Sequence, residues 1–263
     1  MERTARAADA TPPVGAVAPP YDACFADVSG LLPGLPGQRA REARVPVAET
    51  AAPVAVAAAR RLRPWRLLPT PAGTPFTFGY VVVLVVTSLV TEHAAPSLVH
   101  TLHQGSSTDV AHLLRTPVPV LLASAVWIAG GMLSPYAIGL VVVFTALERR
   151  IGGARTACVF LLGHVLATVV TEGAVGIGVL VGHLPDSSLH RLDYGVSFGV
   201  AAGAGALAGL LTPWLRWPLV VGVGVMLVMD LIAFTDPLTN WGHLTAFAVG
   251  VALWPSVRRW RRG

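Results

Sequence analysis

Lysine is absent from this 263-residue chain: all 19 basic residues are arginine. The absence reads as coding bias and carries no function. Cysteine is nearly absent too, with Cys24 in a polar N-terminal stretch and Cys158 in an apolar run. Two such cysteines offer no metal spacing, and a disulfide between them is not expected. Charge is the third shortage. Only 13% of residues are charged and 54% are hydrophobic, against about 25% charged in ordinary soluble domains. Too few charges remain to cover a water-facing surface, and the apolar residues come in long blocks. The composition excludes a soluble domain and points to a polytopic α-helical membrane protein. The net charge of +5 does not indicate nucleic acid. The arginines flank apolar runs, where anionic lipid headgroups are the expected partner.

Residues 1–66 are rich in Ala, Pro, Gly and Arg and lack a sustained apolar period. They read as a disordered cytoplasmic tail. It ends in a basic juxtamembrane anchor, Arg60, Arg61, Arg63 and Arg66 around Trp65. Residues 67–257 read as a six-span membrane domain, and 258–263 as a basic cytoplasmic C-terminus.

The first span is placed at Phe76 to Leu89, ending near His93, and Ala94 to Arg115 is read as a loop. The run from Pro117 to Leu147 would be ~46 Å long as one helix, against a ~30 Å hydrocarbon core. Gly130, Gly131, Ser134 and Pro135 break it. Pro117 to Ile128 therefore reads as an interfacial helix between spans one and two, and Leu133 to Leu147 as the second span. The third runs from Arg155 to Glu172 with a glycine-rich extension, Gly173 to Gly182. The fourth is Tyr194 to Leu211, followed by a tight turn, Pro213 to Trp217. The fifth is Pro218 to Phe234 and the sixth Trp241 to Trp254. With the N-terminus inside, the inner segments hold most arginines and the outer loops only Arg115 and Arg191, as the positive-inside rule expects.

This topology sets Ser197, one turn into the fourth span, level with His243, one turn into the sixth. Both lie roughly 5–10 Å below the outer surface by helix rise. A serine hydroxyl and an imidazole at equal depth make a nucleophile–base pair if their helices touch. Gly195, Gly199 and Gly203 recur every four residues on one helix, and Ala246 and Gly250 follow His243 on the other. Small residues at that spacing let membrane helices approach closely. The bland alternative is a serine bonded to its own helix and an interfacial histidine.

Three blocks together resemble the rhomboid family of intramembrane serine proteases: Ala146-Leu-Glu-Arg-Arg-Ile-Gly-Gly153, Gly195-Val-Ser-Phe-Gly199, and Asn240-Trp-Gly-His-Leu-Thr-Ala-Phe-Ala-Val-Gly250. The resemblance covers about Phe76 to Pro255. It implies a six-helix rhomboid-like bundle, with Ser197 as nucleophile, His243 as general base and Gly195 beside the oxyanion site. It also implies cleavage of transmembrane substrates near their outer ends. No cofactor is expected, and the loop histidines are too few and irregular for a metal site. Two departures stand out. Phe198 replaces the glycine after the nucleophile, and Met132 and Tyr136 fall near the family's oxyanion His and Asn. Of these, only the Tyr136 hydroxyl can donate. A catalytically inactive rhomboid-like protein that binds transmembrane clients is the alternative.

His164, Glu172 and Asp230 are the remaining intramembrane polar residues. They are read as lining a water-accessible cavity, with Asp230 orienting His243, or as interhelical hydrogen bonds. A transporter built on them is the third function class, but no paired half-helices or inverted repeat support it. The expected location is the plasma membrane, multi-pass, with both termini cytoplasmic. Lipid and transmembrane substrates or clients are the expected partners, and nucleic acid is not.

Overall fold

The computed structural model of the protein describes residues 67–262; the expectations for the tail and its basic anchor lie outside them. Among the described residues the chain is entirely helical. Ten α-helices follow in order: α1 (Pro75–His93), α2 (Pro96–Gly105), α3 (Val110–Arg115), α4 (Pro117–Ser124), α5 (Pro135–Ile151), α6 (Gly153–Leu180), α7 (Ser197–Ala208), α8 (Pro213–Ala233), α9 (Pro237–Ala252) and α10 (Trp254–Trp260). Three of them, α1, α6 and α8, are long and apolar enough to cross a membrane.

Proline sets most of the starts. It occupies the first turn of α1, α2, α4, α5, α8, α9 and α10, where its missing N–H has no intrahelical partner to lose. This corrects two readings. The segment Ala94 to Arg115 is not a bare loop. It folds as α2 and α3, the second capped by Asp109, whose carboxylate accepts the His112 N–H at 2.9 Å. Pro213 to Trp217 is the first turn of α8 rather than a separate turn. The glycine-rich stretch after Glu172 also continues α6 without a break to Leu180. The helix expected within Pro117 to Ile128 is α4, eight residues long.

α7 is the central helix, and nearly all of it is buried. It is only 12 residues long, about 18 Å at 1.5 Å per residue. The irregular segment Arg191 to Val196 leads into it, and Ser197 begins the helix at the cavity. α7 packs on α9 backbone to backbone. A Cβ at Gly250 would lie 2.0 Å from the Ala202 carbonyl oxygen, and one at Gly205 would lie 2.5 Å from that of Phe247. Gly199 and Gly203 face elsewhere. They give room to the rings of Phe160 on α6 and Phe144 on α5. The stripe expected to meet α9 thus serves two other neighbours, while Ala202 and Gly205 supply the α9 contact. Ala246, fully buried, packs in the same core as Ala202 and Phe198.

Glu148 joins α5 to α1. Its carboxylate accepts the Phe76 N–H at 2.9 Å, the Thr77 N–H at 2.8 Å and the Thr77 hydroxyl at 2.6 Å. These amides open α1 and have no partner within their own helix. Glu148 caps that helix from across the bundle. Gly153 leaves space for it, since a Cβ there would lie 2.8 Å from Glu148 Oε1.

The two ends of the bundle differ in charge. At one, Arg216, Arg258 and Arg261 donate to carbonyls at the end of α7, and Arg155 donates to Trp260. At the other, the α2–α3 connection is tied to the approach to α7: the Thr108 N–H donates to Asp193 O at 2.7 Å, and the Ser107 hydroxyl to Arg191 O at 3.1 Å.

Candidate functional site

Local backbone chemistry holds Ser197 at the start of α7. Gly195 has φ +130, a conformation that side chains rarely adopt. Its N–H donates to Ser124 O at 3.0 Å, and that of Val196 to Trp127 O at 3.2 Å. The α4 end therefore clamps the two residues before the serine. The first amides of α7 point out of the helix end without an intrahelical acceptor. They carry the positive end of the helix dipole.

His243 is 4% exposed on α9. Its imidazole stacks on Tyr136 of α5, with centroids 5.1 Å apart and planes at 21°. Phe198 meets it edge-on at 5.3 Å. Nδ1 lies 3.4 Å from the Tyr136 hydroxyl, and Nε2 is buried without a protein partner. Asp230 is exposed and makes no side-chain bond to the ring. Tyr136, rather than Asp230, stands at Nδ1.

Ser197, His243, Tyr136 and Gly195 line one cavity of about 300 Å³, together with Thr108, His164, Thr168, Asp193, Asp236 and Thr239 among others. No hydrogen bond joins Ser197 to His243 among the described residues. Phe198 is accommodated rather than obstructive. Its ring lies over Gly242, where a Cβ would meet Phe198 Cζ at 2.4 Å. The larger residue after the serine is matched by a glycine before the histidine.

Two further polar side chains of α6 face this space. His164 Nε2 is 3.1 Å from both Leu121 O and Ser124 Oγ. A carbonyl only accepts, so Nε2 carries the proton and Nδ1 is bare. Nδ1 and Thr168 Oγ1 are both buried without protein partners. Glu172 does not reach the cavity. It pairs with Arg191, which also lies 3.6 Å from Asp193. Burial pushes the Asp193 carboxyl up from its ordinary value, against the pull of the Arg191 guanidinium and the Thr108 hydroxyl. Arg191 was visible in the sequence only as one of the few outer-loop arginines, and nothing in its spacing announced its partners. Cys158, also on α6, is a free, exposed cysteine and does not line the cavity. Among the described residues no cluster of His, Cys, Asp and Glu could hold a metal ion.

No curated protein and no solved structure matches the chain. A family model described as "Rhomboid-like protein" matches residues 72–262, well over half of the length and all of the helices that build the cavity. The chain therefore belongs to the rhomboid-like protein family and is a helical membrane protein.

Proposed function

We propose that the protein is an intramembrane serine protease that cleaves transmembrane substrates near the outer membrane face through a Ser197–His243 dyad. In this reading α1, α5, α6, α7, α8 and α9 are six spans, α4 is interfacial, and both termini are cytoplasmic at the plasma membrane. The observation that carries it is a shared cavity, lined by a serine at a helix N-terminus and by a buried histidine whose Nε2 has no protein partner.

The chemistry follows from the tautomer. Neutral imidazole has one N–H and one bare nitrogen. If Nδ1–H donates to Tyr136, Nε2 is the free base. Tyr136 then holds the ring in the productive tautomer, the task a carboxylate performs in a triad. Nε2 takes the Ser197 proton as Oγ attacks the scissile carbonyl carbon. The amides at the start of α7 stabilise the oxyanion. Nε2 then protonates the leaving amine, which departs to give an acyl-serine. Water, deprotonated by the same nitrogen, hydrolyses the ester and restores Ser197.

The test is cleavage of a transmembrane reporter by the full-length protein in liposomes. Ser197→Ala and His243→Ala should abolish it. Tyr136→Phe should lower kcat roughly 10²-fold, the scale of losing one oxyanion or orienting contact, with KM little changed. Full cleavage by Ser197→Ala would refute the assignment.

The second reading is an inactive protein that binds transmembrane clients. Two observations favour it: Ser197 and His243 are not hydrogen-bonded, and Met132 offers no donor where the family has one. It predicts unchanged client capture by Ser197→Ala and no cleavage by the parent.

A further inference from the structure

The arginine-rich end of the bundle is organised around one tryptophan. Trp254 opens α10, and its Nε1–H donates to Gly205 O on α7 at 2.8 Å. The ring lies against Gly209, where a Cβ would meet Trp254 Cδ1 at 2.4 Å. Two guanidiniums come over this ring. Arg216 of α8 has Cζ 5.4 Å from its centroid, and Arg258 of α10 has Cζ 5.0 Å from it. Cation–π attraction favours each of them singly. Backbone carbonyls at the end of α7 hold both in place. Arg216 donates from Nε to Ala208 O at 3.1 Å and from Nη2 to Leu211 O at 2.8 Å. Arg258 donates from Nε to Gly209 O at 3.0 Å.

These bonds satisfy the helix end and leave charge over. A helix C-terminus carries roughly half a negative charge, which cannot balance two guanidiniums. Neither pairs with a carboxylate among the described residues, where every arginine–carboxylate pair belongs to Arg191. Both Nη groups of Arg258 and Nη1 of Arg216 have no protein acceptor there. Two like charges gathered on one ring, with donors to spare, call for an anion. The planar fork of arginine matches the oxygens of a phosphate.

The surroundings decide which phosphate. α8 is 21 residues long and apolar enough to cross a membrane. Arg216 and Trp217 lie near its start, the level at which tryptophan and arginine meet lipid headgroups. Trp217 approaches the Trp254 ring edge-on at 6.3 Å and is 56% exposed. Val221, Val225, Val228 and Ile232 continue from it at helical spacing, and all are exposed. An apolar track therefore begins beside the guanidinium pair and runs along α8. A free phosphate would use the pair and leave the track bare, whereas a lipid uses both.

We propose that Arg216 and Arg258 hold the phosphate of an anionic phospholipid, whose acyl chains follow the face of α8 from Trp217 to Ile232. The bound lipid ties the end of α7 to α8 and α10. This is a defined site, beyond the general attraction of basic flanks for anionic headgroups. None of its residues lines the Ser197 cavity, so it does not depend on whether that cavity hydrolyses its occupant or only binds it.

The test is thermal unfolding of the full-length protein in a neutral detergent, with phosphatidylglycerol or phosphatidylcholine added at equal concentration. Phosphatidylglycerol should raise the parent's unfolding temperature by at least about 3 °C more than phosphatidylcholine, the scale expected of a saturating ligand. Arg216→Gln and Arg258→Gln should each lose most of that difference, whatever their own stability. Arg259→Gln removes an exposed neighbouring charge that has no part in the site, and should keep it. Native mass spectrometry of the parent, from equal amounts of the two lipids, should show one retained phosphatidylglycerol, so the test survives if either variant misfolds. Glycerol phosphate at the same concentration should give no rise. No preference between the lipids in the parent, an equal loss in Arg259→Gln, or the full rise with glycerol phosphate alone would overturn the proposal.

Discussion

Gly250→Leu is expected to prevent α7 and α9 from packing, and with that to remove both the fold and the cavity. The Gly250 Cα already approaches the α7 backbone so closely that a Cβ would lie 2.0 Å from Ala202 O and 2.9 Å from Ala206 N. Neither atom is the tip of a flexible side chain. The helices must separate, and the reciprocal contact of Gly205 with Phe247 O is lost with them. Overpacking a core usually costs about 1–3 kcal/mol. A clash between two backbones belongs at or above the top of that range. His243 lies two turns from Gly250 on the same helix, so the displacement also carries the imidazole away from α7. The expected result is a sharply lowered unfolding temperature in detergent, or no monodisperse protein. Gly222→Ala is the control: a Cβ there meets nothing within 4 Å, and an alanine in a helix interior is favoured over glycine by roughly 0.5–1 kcal/mol. Unfolding of Gly250→Leu at the parental temperature would mean that the described helix contact is not the one in solution.

The second large effect is at Glu148. Its carboxylate receives three hydrogen bonds from the start of α1, and Thr77 is fully buried. Bonds to a charged group contribute about 1.5–3 kcal/mol each, and a buried donor left alone carries its own desolvation penalty. The three share one carboxylate and do not add, so Glu148→Ala should cost about 3–5 kcal/mol. Glu148→Gln should fall between, since it keeps one acceptor oxygen and turns amide hydrogens toward donors. Thermal unfolding gives the total. Hydrogen exchange at Phe76 and Thr77 locates it: these amides should lose protection in Glu148→Ala well before those of α6. Parental stability in that variant would show that α1 is anchored by lipid alone.

Much of this architecture was legible because membrane helices announce themselves in long apolar runs. Arginine clusters and polar breaks separated the runs, although α8 begins at Pro213, five residues before the start read from the sequence. The α2 and α3 helices were not legible, because their histidines and serines carry no apolar period. Their signals were local, Pro96 at one start and Asp109 at the other, and are readable only once helix caps are sought. The small residues of α7 showed that it would be closely packed. They did not show which face met which neighbour, since glycines and alanines surround the whole helix and every face looks alike. Gly199 and Gly203 consequently turned out to seat aromatic rings from α6 and α5.

At the site, depth counting brought Ser197 and His243 to one level, and both line one cavity. Their partners could not be read the same way. Tyr136 reaches Nδ1 by a side-chain geometry that spacing does not encode, and Arg191 gathers residues from three elements far apart in sequence. Glu148 was visible as part of a motif, but its role lies in contacts more than seventy positions away. Phe198 stood in the sequence only as a departure from the motif glycine, and the space that seats its ring comes from Gly242 on another helix.

The central claim is that Ser197 is an activated nucleophile, and covalent trapping tests it most directly. The full-length protein in liposomes is exposed to a fluorophosphonate and the adduct is located by mass spectrometry. A single adduct on Ser197, absent from His243→Ala and strongly reduced in Tyr136→Phe, is the predicted result. A folded protein that leaves Ser197 unmodified, or one whose labelling is indifferent to His243→Ala, would contradict the account.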